Sequence, residues 1–202
     1  MKKIFETEGV FMEQLRMINK MGNVPAFEIE EGFEIRMYRP GDEVVWVDIC
    51  KHGLLEEGQG LECWKPYMLD LKPLDPEKDT FFVYNAEGNA IATCTAFVQE
   101  GNVALMHMLA AKPEARGHHL GAAMTAYSLN KLDKELPQGE RMVRLKSDDW
   151  RLPAVKAYLQ AGFQPVLFDV DMDTRWKAIC EKLNFHGVEM LDDNGQPTGV
   201  IL

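Results

Sequence analysis

The chain has 202 residues, 46% of them hydrophobic and 27% charged, and its formal net charge at pH 7 is −10. This composition is typical of a folded globular protein of one domain with appendages, and it excludes disorder over most of the chain. The acidic balance excludes a broad basic surface, so we expect no nucleic-acid partner. No apolar run approaches the roughly 20 residues that span a bilayer, and the first residues carry acids where a signal peptide needs an apolar stretch. We therefore expect a cytoplasmic protein without a membrane partner.

The first segment, residues 1–32, is predicted to be an N-terminal helical arm. Phe11, Leu15 and Ile18 are spaced four and three residues apart, which places them on one face of a helix. Gly-Asn-Val-Pro at 22–25 then ends that helix. The arm could pack on its own domain or on another subunit, and the sequence favours neither. A homodimer that forms through the arm or the C-terminal strands also stays open.

From residue 33 onward, the hydrophobic pattern predicts strands and short helices with clear limits. Alternation over 33–38 predicts a half-buried strand, and 44–50 is predicted as a short amphipathic helix. A loop rich in Gly and Glu over 53–66 leads into a second short helix. The connections between the next three apolar runs are short, which favours an antiparallel meander. These strands are predicted at 80–84, 90–99 and 103–110.

The second half of the chain alternates helices and strands. A wide apolar face predicts a long helix over 117–132 that packs against a sheet. The elements predicted after it are a strand at 141–146, a helix at 152–161, a strand at 163–170 and a helix at 173–183. The whole order indicates an α/β (α+β) fold in which helices flank a mixed, mostly antiparallel sheet.

The spacing of the cysteines and histidines matches no known pattern of metal ligands. Cys50, Cys63, Cys94 and Cys180 form no C-x-x-C pair, so we expect reduced, mostly buried thiols. The adjacent His118 and His119 fit no zinc-binding pattern either. We therefore expect no metal.

Two segments carry residues suited to chemistry. In 103–123 a strand leads through Arg116-Gly117 into a helix, whose N-terminal N–H groups suit a phosphate and whose Gly121 allows close approach. Taken alone, this segment is more typical of a plain helix with a glycine-rich entry. In 148–164, Tyr158 lies on a predicted helix, and taken alone it is more typical of a core tyrosine than of a catalyst.

Together the two segments resemble the GNAT superfamily of acyl-CoA-dependent N-acetyltransferases. The family's Arg/Gln-x-x-Gly-x-Gly/Ala loop corresponds to Arg116–Gly121, and its Asn-x-x-Ala-x-x-Leu-Tyr-x-x-x-Gly-Phe motif corresponds to Arg151–Phe163. The resemblance covers about 33–170, which leaves 171–202 as a C-terminal extension packed on that domain. Two residues depart from the family pattern: His119 replaces the first glycine, and Arg151 replaces the asparagine.

The resemblance implies acetyl-CoA as co-substrate, with its pyrophosphate on backbone N–H groups of the loop. It also implies that Leu109 and Ala111 pair with the pantetheine and thioester, and that the Leu109 N–H stabilises the oxyanion. The residues that it assigns to cofactor binding are Leu109, Ala111, Arg116, Gly117, His118, His119, Leu120, Gly121, Ala122 and Arg151.

Amine acetylation requires a neutral amine and a proton donor for the leaving thiolate. By its position in the motif, Tyr158 corresponds to the family's general acid, and a tyrosine stays protonated at pH 7. Our first choice of base is His107, because the ordinary pKa of a histidine is near 6.5. The alternative is that His107 has only a structural role in its strand. Glu56 and Glu57 are alternative proton acceptors or amine contacts. The competing interpretation is that both are solvated charges of a loop.

We therefore expect an amine acetyltransferase that acts on a small molecule or peptide by direct attack in a ternary complex. Two alternatives stay open: an acyl-CoA-binding regulatory protein of the same fold with weak catalysis, and a transferase of another acyl group or to a hydroxyl or thiol acceptor. We expect residues 53–75 and the C-terminal segment to form the acceptor pocket, and the sequence carries no signature of the acceptor itself.

Overall fold

The computed structural model describes residues 6–7, 10–11 and 13–202, with side chains from residue 13 onward. The α-helices are α1 (Glu43–Cys50), α2 (Pro76–Asp79), α3 (Leu120–Glu135), α4 (Leu152–Gln160) and α5 (Met172–Leu183). Two 3₁₀ turns lie at Leu61–Cys63 and Pro113–Ala115, and a π-helix at Lys65–Leu69. The strands are β1 (Glu6–Thr7), β2 (Val10–Phe11), β3 (Leu15–Asn19), β4 (Glu34–Met37), β5 (Thr80–Tyr84), β6 (Ala90–Glu100), β7 (Val103–Ala111), β8 (Met142–Ser147), β9 (Gln164–Pro165), β10 (Val188–Leu191) and β11 (Pro197–Ile201).

The chain divides into two compact units. The central unit is Met21–Val143, and the terminal unit combines Met1–Lys20 with Arg144–Leu202. The sheet strands are mostly antiparallel and helices flank them, which confirms the predicted fold class. The predicted limits of the family domain, 33–170, stay a prediction. In the part of the chain that the structure describes, no helix is both long and apolar enough to cross a membrane.

In the central unit, β4, β5, β6 and β7 form the antiparallel meander that the sequence predicts. Residues 90–97 of β6 are all buried, although successive side chains of a strand point to opposite faces. Both faces are therefore covered. On one face Phe82 packs in a cluster with Trp46 of α1, and on the other the Phe81 ring lies 4.6 Å from the Tyr127 ring of α3.

A β-bulge interrupts the pairing of β6 and β7 near the end of β7. Thr93 pairs with Ala110 and Thr95 pairs with His107, so two residues of β7 lie opposite one residue of β6. Met108, inside the bulge, has a φ of 54°, a left-handed conformation that is uncommon for a residue with a side chain. The bulge bends β7 just before the loop that leads to α3.

In the terminal unit, β3 and β9 pair antiparallel, with Met17 opposite Pro165 and Ile18 opposite Gln164. The helix predicted over Phe11, Leu15 and Ile18 is therefore wrong from residue 15 onward. Leu15, Met17 and Ile18 are all at most 2% exposed, so both faces of this strand are buried and its apolar pattern also fits a helix. The Phe11 side chain lies outside the described residues.

Two other differences from the sequence-based prediction concern element length. The strand predicted at 163–170 is only Gln164–Pro165, because the chain changes partner after Val166. The Val166 N–H still bonds the Arg16 carbonyl of β3, whereas the Leu167 N–H bonds the Leu191 carbonyl of β10. The sequence-based prediction gave no bounds for the two strands of the C-terminal hairpin, β10 and β11. The other predicted strands and helices are confirmed within about three residues at each end.

We expect Phe82→Ala to lower the free energy of unfolding by roughly 3–5 kcal/mol, because a buried ring is lost and a cavity is left against α1. Urea unfolding followed by circular dichroism measures this change. Val44→Ala is the matched control: Val44 is 57% exposed, and we expect a change of at most about 0.5 kcal/mol. Equal losses in the two variants would contradict the assigned core.

Candidate active site

The connection from β7 to α3 turns the chain through two left-handed residues. After the 3₁₀ turn at Pro113–Ala115, Gly117 has a φ of 87° and His119 a φ of 51°. The helix predicted from residue 117 therefore begins only at Leu120. A left-handed conformation costs an L-residue with a side chain roughly 1–2 kcal/mol. The family motif has glycine at the position of His119, and this cost gives a physical reason for that glycine.

The N-terminus of α3 is open. Its N-cap residue, His119, makes no side-chain capping bond, and the His119 carbonyl accepts from the N–H groups of Ala122 and Ala123. The N–H groups of Leu120 and Gly121 have no intrahelical acceptor, and they lie at the positive end of a 16-residue helix. A Cβ on Gly121 would meet no heavy atom within 4 Å, so there is space beside this helix end.

A cavity of about 260 Å³ adjoins the helix end. Its lining combines the end of β7, the loop and the first turn of α3 with one residue that follows α1. The Lys112 ammonium lies 2.6 Å from a carboxylate oxygen of Asp48, on α1. The lining residues are His52, Ala111, Lys112, Pro113, Ala115, Arg116, Leu120 and Gly121.

The backbone N–H groups at the end of β7 point alternately toward β6 and away from it. The Lys112 N–H bonds the Ile91 carbonyl at 2.8 Å, so it points toward β6. Because successive N–H groups of a strand alternate in direction, the Ala111 N–H points away from β6. Leu109 lies in the bulged part of the strand.

His107 is held by the π-helix. Its Nε2 lies 2.9 Å from the Tyr67 carbonyl, and a carbonyl oxygen can only accept, so Nε2 carries the proton. In the neutral ring the lone pair is then on Nδ1. The sequence did not predict this contact, because it joins residues 40 positions apart.

The His118 side chain is bound on the surface of the central unit. Its Nδ1 lies 3.1 Å from both carboxylate oxygens of Glu30, and its ring lies 4.9 Å from the Phe33 ring. His118 is not among the residues that line the cavity. Glu56 and Glu57, the alternative proton acceptors, are exposed loop residues.

Tyr158 and Arg151 belong to the terminal unit. Tyr158 is 6% exposed, and its ring packs edge-on against the Phe163 ring at 5.9 Å. The Arg151 Nε lies 2.7 Å from a carboxylate oxygen of Asp148, which is 7% exposed. The charge of Arg151 is thus partly neutralised by a buried carboxylate, a partner that the sequence motif did not show.

Arg175 of α5 anchors the loop that precedes α4. Its guanidinium binds both carboxylate oxygens of Asp149, at 3.0 and 2.5 Å, and also donates to the Glu13 carbonyl at 2.9 Å. Burial lowers the pKa of Arg175, but the Asp149 hydrogen bonds and charge outweigh burial, and the net effect is a raised pKa. This network holds the start of the helix that carries Tyr158.

The loop geometry agrees with a match to a known family. The Acetyltransferase (GNAT) family profile matches residues 46–163, more than half of the chain. The chain belongs to the GNAT acetyltransferase family. It is 26% identical over 162 residues to the mycothiol acetyltransferase of Sanguibacter keddieii, which covers 74% of this chain and 49% of that relative.

Solved structures of GNAT proteins share the fold. A GCN5-related N-acetyltransferase from Sphaerobacter thermophilus superposes with a TM-score of 0.59 at 21% identity, covering 75% of this chain and 48% of that chain. A tandem GNAT protein from the clavulanic acid biosynthesis pathway gives a TM-score of 0.56 at 17% identity, covering 75% and 50%. These identities are low, so they show the fold alone. The chain spans about half the length of the relatives that it matches.

All four cysteines of this GNAT chain are unpaired and buried, as predicted. Burial raises the pKa of the Cys94 thiol to about 12, so this thiol is protonated and unreactive at neutral pH. Among residues 6–7, 10–11 and 13–202, no group of three or more His, Cys, Asp or Glu side chains is arranged to hold a metal ion.

We expect the Asp48 carboxylate beside the cavity to stay ionised down to about pH 2. Hydrogen bonds from Lys112 and then Lys51 lower its pKa from 3.8 to about 2. A pKa lowered by folding contributes stability above pH 3.8, and that stability is lost as the pH falls toward 2. The side chain is 43% exposed, so the contribution is small. Carboxyl ¹³C NMR titration measures the pKa.

Lys112→Met is the control for this titration. Without the hydrogen bond from Lys112, we expect the Asp48 pKa to return most of the way toward 3.8. An Asp48 pKa near 3.8 in the wild-type chain would contradict the ion pair.

Proposed function

We propose that the chain transfers the acetyl group of acetyl-CoA to an amine of a small molecule or peptide, by direct attack in a ternary complex. The observation that carries this proposal is the uncapped N-terminus of α3, reached through left-handed residues at Gly117 and His119 of the family motif. An open helix end of this kind is suited to binding pyrophosphate.

For the coenzyme, we assign the pyrophosphate to backbone N–H groups from Arg116 to Ala122. The space around Gly121 supports this assignment, because a bulky anion has to approach the backbone there. Ala111, whose N–H points away from β6, and Leu109, in the bulge, are assigned to the pantetheine and thioester. A fixed N–H at Leu109 stabilises the negative charge that develops on the thioester carbonyl during attack.

For the chemistry, we assign His107 as base and Tyr158 as acid. The amine nitrogen bonds to the thioester carbon and loses one proton, which Nδ1 of His107 accepts directly or through water. The carbon–sulfur bond then breaks, and the Tyr158 hydroxyl donates its proton to the departing thiolate. The bond from Nε2 of His107 to the Tyr67 carbonyl supports this assignment, because it fixes which ring nitrogen is the base.

The identity of the acceptor is tested by turnover. The similarity to a mycothiol acetyltransferase favours a small-molecule amine. The ion pair of Arg151 with Asp148 and the left-handed His119 favour the alternative, an acyl-CoA-binding protein with weak catalysis, because both change motif positions. A screen of small amines and peptides with acetyl-CoA, read as free thiol released, distinguishes them. Tight binding of acetyl-CoA without turnover of any amine would favour the binding protein.

We expect Tyr158→Phe to lower kcat roughly 10²–10⁴-fold with little change in acetyl-CoA affinity, because the thiolate loses its proton donor. Steady-state kinetics with an acceptor from the screen measure this change. Tyr127→Phe is the matched control, since within residues 13–202 the one polar contact of its hydroxyl is with the Met37 sulfur at 3.8 Å. Unchanged turnover in Tyr158→Phe would remove Tyr158 from the acid role.

We expect Gly121→Glu to weaken acetyl-CoA binding at least about tenfold, because a carboxylate repels the coenzyme phosphates at the helix end. Isothermal titration calorimetry measures the affinity. The space at Gly121 allows both Gly121→Glu and the control Gly121→Ala to fold, and alanine favours the helix by roughly 0.5–1 kcal/mol. If the glutamate variant bound as tightly as the alanine variant, the pyrophosphate assignment would be wrong.

A further inference from the structure

An irregular segment, residues 25–33, runs along α3 before β4 begins, and we call it the strap. It belongs to the central unit and contains neither helix nor strand. The Asn130 side-chain amide of α3 donates to the Pro25 carbonyl at 2.8 Å, and the Phe27 ring lies 5.3 Å from the Tyr127 ring. Successive residues of the strap thus meet earlier residues of the helix. The strap therefore follows α3 backward, toward the loop that precedes the helix.

The strap ends in a tight turn that places two of its side chains at this loop. The Phe33 N–H bonds the Glu30 carbonyl at 3.2 Å, and Gly32 between them has a φ of 89°. A positive φ at the third residue of a turn is characteristic of type II, which gives the reason for glycine there. The turn brings the Glu30 carboxylate and the Phe33 ring to the same imidazole, that of His118.

The contact between Glu30 and His118 is a hydrogen bond on the surface. Nδ1 of His118 lies 3.1 Å from both carboxylate oxygens, and a carboxylate only accepts, so Nδ1 carries the proton. Both side chains are exposed, and an exposed pair contributes little to the stability of the whole fold. The main effect of the contact is therefore local, on the loop that carries His118.

The loop around His118 has few hydrogen bonds of its own. Gly117 and His119, on either side of His118, are both left-handed. Within residues 13–202, the N–H groups of these three residues donate to no backbone carbonyl. A segment without internal backbone hydrogen bonds is held by its ends and by its side chains. The Glu30 contact with His118 is thus an anchor in the middle of the segment.

We propose that Glu30 is a positioning residue for the coenzyme: through His118, it holds the loop in the conformation that binds pyrophosphate. This proposal rests on the proposed function, in which backbone N–H groups of 116–122 bind the pyrophosphate. Glu30 lies outside residues 46–163, which the family profile matches, so the profile assigns it no role.

The positioning role predicts an effect opposite in sign to that of charge alone. A carboxylate near an anion site repels the anion, so through its charge alone Glu30 weakens coenzyme binding. A loop that is already in the binding conformation loses less conformational freedom when the coenzyme binds, so positioning strengthens binding. A test must therefore remove the hydrogen bond and the charge separately.

The test compares two variants that remove the same charge. Glu30→Gln keeps an oxygen that accepts from Nδ1 of His118, whereas Glu30→Ala keeps none. We expect Glu30→Ala to bind acetyl-CoA roughly three- to fivefold more weakly than Glu30→Gln, measured by isothermal titration calorimetry on the full chain. The matched control is the exposed neighbour Glu31, where we expect Glu31→Ala and Glu31→Gln to bind equally.

Two further measurements separate positioning from a merely structural defect. A structural defect lowers the fraction of chain that binds, which calorimetry reports as stoichiometry, and it lowers kcat. Positioning raises the dissociation constant and the KM for acetyl-CoA, and it leaves the stoichiometry and the kcat at saturation unchanged. In a His118→Ala background, we expect Glu30→Ala and Glu30→Gln to bind equally, because the contact that distinguishes them is gone.

Each outcome decides between the two proposals. If the wild-type chain binds acetyl-CoA and Glu30→Ala binds as tightly as Glu30→Gln, the positioning role is wrong and the acetyltransferase proposal stands. A loss of stoichiometry in place of affinity overturns the role as well. So does a difference that persists in the His118→Ala background, because Glu30 then does not act through His118. If the wild-type chain does not bind acetyl-CoA, the use of the coenzyme is itself wrong, and both proposals fall.

Discussion

The open end of α3 is the constraint on which the candidate site depends. An α-helix leaves its first N–H groups without intrahelical acceptors, and most helices satisfy them with a capping side chain or water. Here the preceding residue, His119, is left-handed and gives no side-chain cap. That arrangement is unfavourable in isolation, so it is maintained by the packing of α3 on the sheet. The strain and the unsatisfied donors occur at the same place, as is common at ligand sites.

The buried strand β6 holds this helix end in place. Because both of its faces are covered, α1 and α3 are each fixed against the same strand pair, β6 and β7. Coulombic interactions across the cavity follow from that packing: Asp48 of α1 reaches Lys112 after β7, and the Lys112 backbone is tied to β6. The core of the central unit therefore positions backbone donors and basic side chains around one recess.

The sequence predicts the parts of the site that are local and does not predict those that are long-range. The loop at Arg116–Gly121 and the helix that carries Tyr158 follow from short motifs, since turn chemistry and apolar periodicity are read over a few residues. The bulge at Met108 carries no glycine to mark it. The contact between His107 and Tyr67 and the pair of Lys112 with Asp48 join distant segments. For β3, a strand buried on both faces has the same apolar pattern as a buried helix, so periodicity alone favoured the wrong element.

The pairing of β3 with β9 has a consequence for the order of folding. Ile18 lies opposite Gln164, so this ladder closes only when the chain has been synthesised past residue 165. Within Met21–Val143, by contrast, β5, β6 and β7 are consecutive strands that pair with one another. Long-range strand pairing is slow, because a large loop has to close first. The apolar residues of β3 therefore lack this partner strand until about four-fifths of the 202 residues have been synthesised.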